Sequence, residues 1–182
     1  MKITQTSIFN LLVFEPEIHK DKRGFFLETW NKKVFQNLTK LNIDFVQDNH
    51  SRSLKGVLRG LHYQLPKPQG KLIKVTHGEV LDVVVDLRKS SPSFGKYLTI
   101  SLSGKNQKQV WIPPGCAHGF IAISEFVDFT YKVTEYYSSQ DEHCIIWNDP
   151  DLNIDWKLKG INPQISKKDL KGKYLKNAPI YK

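Results

Sequence analysis

Two histidines stand where a folded chain could use them for proton transfer or metal binding. His62 lies in the run Val-Leu-Arg-Gly-Leu-His-Tyr-Gln, and His118 follows a Pro-Pro-Gly turn. Successive side chains of a β-strand point to opposite faces, so His62 and Gln64 are expected to share a face while Arg59 takes the other. A glycine within a strand often marks a bulge, and a bulge at Gly60 would redirect Arg59.

A histidine pair of this kind is typical of β-barrels of the cupin type, many of which bind a metal. Such barrels carry His-x-His on one strand and a further histidine after Pro-x-Gly. Here Gln64 takes the second position of His-x-His, which removes a good ligand from a site needing about three. No metal is therefore expected, and His62 is free to carry a proton.

Two further segments carry groups that could join in proton transfer. Tyr131 is expected to share a strand face with Phe129 and, if the strand continues far enough, with Tyr137. A phenol in a cavity beside a cation is a usable general acid, although a row of aromatic side chains more often belongs to a core. Taken alone, the Ser-Lys-Lys-Asp segment ending at Asp169 is typical of a solvated turn.

The elements that must position these residues are mostly short strands. Alternating or apolar runs separated by turn residues predict strands at 25–30, 45–49, 57–64, 72–77, 80–87, 97–102, 109–112, 119–123, 127–133 and 144–147. Helical spacing is clear only over 31–41, with Asn31 as N-cap, and a short helical turn is expected at 167–170 after Ser166. This pattern predicts an all-β fold, a jelly-roll barrel with a short N-terminal helix and a short C-terminal helical segment.

Length and composition restrict the class of protein. At 182 residues and 21.1 kDa the chain is expected to form one domain over 1–182. No apolar run reaches membrane length, the first residues are polar and there are two cysteines, so a cytoplasmic protein without membrane contact is expected. The net charge of +9 is carried by scattered lysines without an aromatic and basic stripe, which argues against nucleic-acid binding.

Eight short motifs follow one another in a specific order and spacing. They are Phe-Val-Gln-Asp-Asn-His-Ser at 45–51, the run at 57–64, Gly-Lys-Leu at 70–72, Val-Val-Val-Asp-Leu-Arg at 83–88, Ser-Pro-Ser-Phe-Gly at 91–95, Pro-Pro-Gly-Cys-Ala-His-Gly-Phe at 113–120, Tyr-Lys-Val-Thr at 131–134 and Trp-Asn-Asp-Pro at 147–150. Together they resemble the dTDP-4-dehydrorhamnose 3,5-epimerases, over about residues 8–170.

The resemblance implies a fold, an activity and an assembly. The fold would be a cupin-type jelly roll, and the assembly a homodimer with sites near the subunit interface. The activity would be inversion of C3 and C5 of dTDP-4-dehydro-6-deoxy-D-glucose to give dTDP-4-dehydro-L-rhamnose. The C4 ketone acidifies the C–H bonds at both carbons, because loss of either proton gives an enolate. Such chemistry needs no metal, nicotinamide or flavin.

The resemblance also assigns roles residue by residue. His62 resembles the general base, and Asp169 the carboxylate that orients it. Tyr131 resembles the acid that returns a proton from the other ring face, and Lys71 the cation that stabilises the enolate at the C4 oxygen.

The remaining matches are substrate contacts. They are Arg23, Phe26, Glu28, Gln47, Asn49, Arg59, His118, Tyr137, Glu142 and Lys168. The guanidinium groups of Arg23 and Arg59 suit diphosphate oxygens, and Tyr137 corresponds to an aromatic that stacks on thymine. In a dimer, the segment 23–28 could act on the neighbouring subunit's site. One departure is Cys116, which stands where the family commonly has an aromatic or other apolar residue.

Other functions fit parts of this pattern. One is an epimerase acting at C3 only or C5 only, on a related nucleotide-linked 4-keto sugar, because one base and one acid can serve one centre or two. Others are a carbohydrate-binding or nucleic-acid-binding barrel without catalysis and a metal-dependent cupin oxygenase. The sequence does not identify the downstream glycan.

Overall fold

Strands dominate the computed structural model, which describes residues 1–182. In chain order they are β1 (Lys2–Gln5), β2 (Leu12–Glu15), β3 (His19–Asp21), β4 (Gly24–Phe26), β5 (Gln47–Leu54), β6 (Val57–Gln64), β7 (Lys71–His77), β8 (Glu79–Asp86), β9 (Tyr97–Ser103), β10 (Gln109–Ile112), β11 (Cys116–Ala122), β12 (Phe126–Val133), β13 (Glu142–Cys144) and β14 (Gln164–Ile165). Strands hold 44% of the residues and helices 8%, so the all-β prediction is confirmed.

Twelve of the strands form two sheets that pack face to face, and β3 and β4 form a separate two-stranded sheet. The first has the order β1-β2-β10-β7-β12-β5 and the second the order β13-β6-β11-β8-β9, with β14 in parallel on β6. Side chains from both inner faces, among them Ile73, Val84, Phe120 and Phe129, form a core cluster of 14 buried residues. Burying each such side chain contributes about 1.5–3 kcal/mol to folding, which holds the two sheets together as the walls of a barrel.

Two further layers cover the outside of the sheets. The C-terminal region packs Leu152 and Trp156 against the outer face of the second sheet. The single α-helix, α1 (Lys32–Thr39), packs Phe35 against Phe14 and Trp111 of the first sheet. No helix is both long enough and apolar enough to cross a bilayer.

The ends of the helices follow the expected caps. The Asn31 side chain accepts a hydrogen bond from the Val34 backbone N–H at 3.2 Å and starts α1 as predicted. The C-terminal turn is a 3-10 helix at Asp169–Lys171, slightly later than expected, and a second one follows at Leu175–Asn177. Ser166 caps the turn that leads into the first of these, because its hydroxyl oxygen accepts from the Asp169 N–H at 3.0 Å. The N-cap residue of the 3-10 helix itself is Lys168, which makes no side-chain cap hydrogen bond.

Several strand predictions are wrong in extent, among them the strands expected at 45–49 and 119–123, which are Gln47–Leu54 and Cys116–Ala122. The strand expected at 25–30 is only Gly24–Phe26, because its partner His19–Asp21 is three residues long and offers nothing further to pair with. The strand expected at 144–147 instead ends at Cys144 and begins at Glu142.

Strand β6 contains the expected bulge, and it changes which side chains face the core. His62 opposes His118 and Arg59 opposes Phe120, so three residue steps on β6 match two on β11. The extra residue beside Gly60 brings Arg59 to the same side as His62, where both line one cavity. Simple alternation, which placed Arg59 on the opposite face, is therefore wrong at this point, and the bulge is the reason.

Only glycine fits at position 60. Its φ is +110°, and a Cβ built there would lie 2.6 Å from both Gly119 Cα and the His118 carbonyl oxygen. These contacts are with backbone atoms of β11, which cannot move aside without separating the two strands. The absence of a side chain thus allows the bulge and the close strand approach together.

The substitution Gly60→Ala is expected to lower the free energy of unfolding by about 3–5 kcal/mol, since backbone strain and overpacking add. Gly95→Ala is the matched control, because Gly95 has φ +73° but open space around a built Cβ, so only the strain of about 1 kcal/mol applies. Urea unfolding of both variants measures the difference. Equal losses would show that the strand approach at Gly60 tolerates a methyl group.

Candidate functional site

A cavity of about 380 Å³ lies between the inner faces of the two sheets. It brings together nine residues singled out from the sequence: Gln47, Asn49, Arg59, His62, Lys71, His118, Tyr131, Tyr137 and Glu142. Asp169 and Lys168 lie next to it, in a neighbouring groove that shares Arg59, His62 and Glu142 with the cavity. Six different strands, the loop after β12 and the C-terminal turn contribute to this site.

His62 is backed by a buried carboxylate. Its Nε2 lies 2.8 Å from Asp169 Oδ1, and the carboxylate side chain is only 5% exposed. The other oxygen, Oδ2, accepts a hydrogen bond from the Gly60 N–H at 3.2 Å. Burial alone would raise the pKa of Asp169, but the hydrogen bonds from His62 and Gly60 outweigh burial and hold this pKa below its usual value.

This arrangement determines which nitrogen of His62 can act on a ligand. In neutral imidazole one nitrogen donates and the other accepts, and the partner of the donor selects the tautomer. Since Nε2 faces the Asp169 carboxylate, Nε2 carries the proton and Nδ1 holds the free lone pair. The pair can therefore accept a proton at Nδ1, and Asp169 stabilises the imidazolium that results.

A second histidine–aspartate pair lies deeper in the barrel. His118 Nε2 is 2.7 Å from Asp82 Oδ2, and Asp82 is completely buried. Burial raises the pKa of Asp82 although His118 and Lys71 act against it, and Oδ1 has no hydrogen-bond partner. The sequence reasoning missed Asp82. The available signal was an aspartate inside the otherwise apolar run Val-Leu-Asp-Val-Val-Val of β8.

Lys71 is a cation with few partners. Its ammonium group makes one long hydrogen bond, 3.5 Å to the His62 carbonyl oxygen, and the residue is 8% exposed. Burial lowers the pKa of Lys71 to about 8, although Glu142 and Asp82 act in the opposite direction. An incompletely hydrogen-bonded ammonium in a dry site can stabilise an oxyanion strongly.

Tyr131 faces the cavity from the opposite sheet to His62. It lies on β12 and packs edge-on against Phe129, which also lines the cavity. Burial raises the pKa of its phenol, and Glu142 adds to the effect. The hydroxyl therefore stays protonated near neutral pH. Since it makes no hydrogen bond within the chain, it can donate one to a ligand.

The mouth of the cavity is a connected polar rim. Glu142 accepts from the Tyr137 hydroxyl at 2.8 Å and forms an ion pair with Lys168. Gln47 accepts from the Tyr137 N–H at 3.1 Å and donates to Asn49 at 2.8 Å. Tyr137 reaches this rim from a loop, because β12 ends at Val133, so the condition under which it was expected to share the strand face is not met.

Gln64 supports the loop that carries Tyr137. Its amide donates to the carbonyl oxygens of Lys67 and Tyr136 and accepts from the Ser138 N–H at 2.9 Å. Both amide heavy atoms are therefore occupied by backbone groups. The position that holds a histidine ligand in metal-binding cupins here shapes the rim instead.

Three predicted contacts lie outside the cavity. Arg23 and Phe26 belong to the β3–β4 hairpin, where the Arg23 side chain is 90% exposed and Phe26 is 71% exposed. Glu28 follows the hairpin and accepts from the Asn31 side chain at 3.0 Å. The hairpin sequence places these residues side by side, but within one chain they do not reach the site.

The chain was compared with known proteins. The model of the family dTDP-4-dehydrorhamnose 3,5-epimerase matches residues 5–177. Curated relatives with that name come from Pseudomonas aeruginosa, at 49% identity over 100% of this chain and 99% of the relative, and from Shigella flexneri, at 48% identity over 100% and 99%.

Solved structures agree with the sequence relatives. A 3,5-epimerase from Legionella pneumophila, crystallised with dTDP-4-keto-L-rhamnose, superposes with a TM-score of 0.95 at 49% identity, covering 98% of this chain and 94% of that one. The predicted cupin-type fold is thereby confirmed.

Lys71 is expected to lose its proton near pH 8, well below the pH at which an ordinary lysine loses its proton. Lys168 offers an internal contrast, because its hydrogen bond to Glu142 raises its pKa. NMR titration of the lysine side chains, with Lys71→Arg and Lys168→Arg used for assignment, measures both. A Lys71 signal that titrates together with the bulk of the lysines would contradict the dry environment inferred for it.

Proposed function

The chain belongs to the dTDP-4-dehydrorhamnose 3,5-epimerase family, and we propose that His62 and Tyr131 carry out its proton transfers. It is an isomerase that inverts C3 and C5 of dTDP-4-dehydro-6-deoxy-D-glucose to give dTDP-4-dehydro-L-rhamnose. The observation that carries the residue assignment is the placement of a carboxylate-backed imidazole and a free phenol on opposing sheets of one cavity.

The first half of the reaction is proton removal beside the C4 ketone. Nδ1 of His62 takes the C–H proton, and the electron pair moves to the ketone oxygen as an enolate. Asp169 lowers the energy of the imidazolium through its hydrogen bond to Nε2. A positioned base of this kind contributes about 10²–10⁴-fold in rate.

The second half returns a proton to the other face of the ring. The Tyr131 hydroxyl donates its proton to carbon while the enolate reverts to the ketone. Solvent then reprotonates the phenolate and accepts the proton held by the His62 imidazolium, which restores both groups. Base and acid lie on opposing sheets, so removal and return occur from opposite sides and the centre inverts. The same pair serves the second carbon after the sugar ring has reoriented.

Lys71 and His118 stabilise the intermediate. Both line the cavity, and Lys71 supplies a positive charge where the surroundings cannot solvate one. The ammonium would therefore attract the enolate oxygen more strongly than water does. Only protons are transferred in this scheme, and the electron pair moves between the C–H bond and the ketone oxygen. The reaction therefore requires no metal or redox cofactor.

The polar rim would bind the nucleotide portion of the substrate. Arg59 Nε is held by the Ser53 hydroxyl at 3.0 Å, which directs its fork along the cavity wall for a diphosphate. Tyr137 is half exposed above the rim and offers a ring face for thymine. Gln47, Asn49, Glu142 and Lys168 supply further polar contacts in this proposal.

We further propose a homodimer in which the β3–β4 hairpin completes the partner's site. Phe25 and Phe26 are 59% and 71% exposed, and adjacent exposed aromatics commonly mark an interface. The outer face of the first sheet also has buried polar atoms without partners, Gln109 Nε2 and Thr130 Oγ1, beside a groove of about 400 Å³. A second copy that covers this groove would place Arg23 and Glu28 near a nucleotide.

The proposal also covers the cellular compartment, the domain organisation and the substrate of the enzyme. Both cysteines are free, which fits a reducing cytoplasm. Residues 1–182 would act as one domain, with a dTDP-linked sugar as the small-molecule partner. Among the alternatives, an epimerase acting at one centre would share the same base and acid, whereas a binding barrel would need neither, so label exchange separates them.

His62→Asn is expected to reduce turnover by about 10²–10⁴-fold and to stop incorporation of deuterium from D₂O at C3 and C5. Tyr131→Phe should retain part of the exchange while losing inversion, because the base survives and the acid does not. NMR of the sugar product reports both effects. Tyr136→Phe, an exposed neighbouring phenol, is the control and should match the unmodified protein. Deuterium at only one of the two carbons of the sugar, with the unmodified protein as catalyst, would favour the one-centre alternative.

Mixing two inactive variants tests the shared site. A His62→Ala chain and an Arg23→Ala/Phe26→Ala chain should each be impaired, yet their heterodimer would hold one intact site. Random reassortment should restore about a quarter of the sites. Activity is compared before and after subunit exchange, with sedimentation confirming dimers. A dimeric mixture that regains no activity would mean that the hairpin acts within its own chain, and an Arg23→Ala/Phe26→Ala chain that is fully active by itself would mean that the hairpin has no role in the site.

A further inference from the structure

A thiol lies beside the His62–Asp169 pair and has no part in the proton-transfer scheme. Cys144 on β13 is the direct cross-strand partner of His62 on β6, so the two side chains are on one face. A ring nitrogen of His62, a carboxylate oxygen of Asp169 and the Cys144 sulfur all lie within 4.8 Å of one another. The thiol's only hydrogen bond is to its neighbour's carbonyl, Ile145 O, at 3.3 Å.

Nitrogen, sulfur and oxygen donors in one cluster are the ligands that Zn²⁺ and similar soft divalent cations prefer. We propose that His62, Cys144 and Asp169 form a binding site for such a cation, and that its occupation inhibits the epimerase. The thiolate and carboxylate would together neutralise the two positive charges, and the imidazole would bind in its neutral form. One proton, from the thiol, would pass to solvent for each ion bound.

The geometry requires only a small adjustment. Ligand atoms around tetrahedral zinc are about 3.2–3.8 Å apart, from bond lengths of about 2.0–2.3 Å. The Cys144 sulfur lies within 4.8 Å of the other two donors and needs to approach by about 1 Å, which rotation of its side chain can supply. The His62 nitrogen and the Asp169 oxygen, now 2.8 Å apart, would separate by several tenths of an ångström to admit the ion. Each donor comes from a different element, β6, β13 and the 3-10 turn that follows Ser166, and the backbone of each is hydrogen-bonded.

This site differs from the metal site of other cupins. That site uses histidines projecting into the barrel, whereas here His118 is engaged by Asp82 and the Gln64 amide holds a loop. The cluster instead lies on the side of His62 turned towards the C-terminal segment, where Asp169 arrives.

Inhibition follows from the proposed role of His62 and rests on it. A cation on Nδ1 would take the lone pair that accepts the substrate proton. A cation on Nε2 would displace the hydrogen bond from Asp169 and withdraw electron density from the ring. Either mode leaves the imidazole unable to act as the base.

Binding is tested without reference to activity. Cadmium is titrated into the full chain, and the thiolate-to-cadmium charge-transfer band in the ultraviolet is followed together with calorimetry. One equivalent should bind, and Cys144→Ala should abolish the band and weaken binding at least about tenfold. Cys116→Ala is the matched control, because it also leaves one cysteine in the chain but removes a thiol buried in the core. Cys144→Ser provides a second variant of nearly unchanged volume.

Inhibition is then measured as the Zn²⁺ concentration that halves the epimerisation rate. Cys144→Ala and Cys144→Ser should raise it at least about tenfold relative to Cys116→Ala, and a chelator should restore the rate. Equal sensitivity of the three variants, or a charge-transfer band that survives loss of Cys144, would overturn the proposal. Binding that has no effect on the rate would support the metal site and contradict the role of His62 as base, so the two failures are distinguishable.

Discussion

The hydrogen bond between His62 and Asp169 joins parts of the chain that are 107 residues apart in sequence. One partner lies on a central strand of the second sheet, and the other on a 3-10 turn close to the C-terminus. The carboxylate is nearly inaccessible to solvent, so its charge must be compensated by donors within the chain. The histidine and the Gly60 N–H provide that compensation. The proton carrier is thus held by the same contact that anchors the C-terminal segment to the barrel.

The bulge in β6 is what makes this contact possible. It turns the Gly60 N–H towards Asp169 and places Arg59 beside His62. A regular strand would instead have directed the guanidinium away from the cavity. Because Gly119 of β11 lies directly against Gly60, the two glycines allow a closer strand approach than any side chain would permit. Local backbone geometry therefore determines which side chains of β6 line the cavity.

The cavity also contains several buried charged groups. Lys71, Asp82 and Asp169 are all largely removed from water, and two of them are paired with histidines. In a medium of low dielectric constant, each charge acts strongly on any group placed between the sheets. The barrel thus offers a cavity with a cation on one side and proton carriers on two sides. This arrangement suits a reaction whose intermediate is an enolate.

The chain's own pattern was sufficient for the class of fold, most strands, the Asn31 cap and the family, because alternation and turn residues are local signals. It also pointed to His62, Tyr131 and Asp169 through ordered motifs. The packing of the sheets decided the rest. Asp82 stands out in the sequence only as an aspartate in an apolar run, and its partner His118 is known only from the packing of the strands. The position of Cys144 opposite His62 depends on strand register, and the distance of Arg23 from the cavity depends on where a hairpin projects. These are relations between residues distant in sequence, and only the tertiary structure can set them.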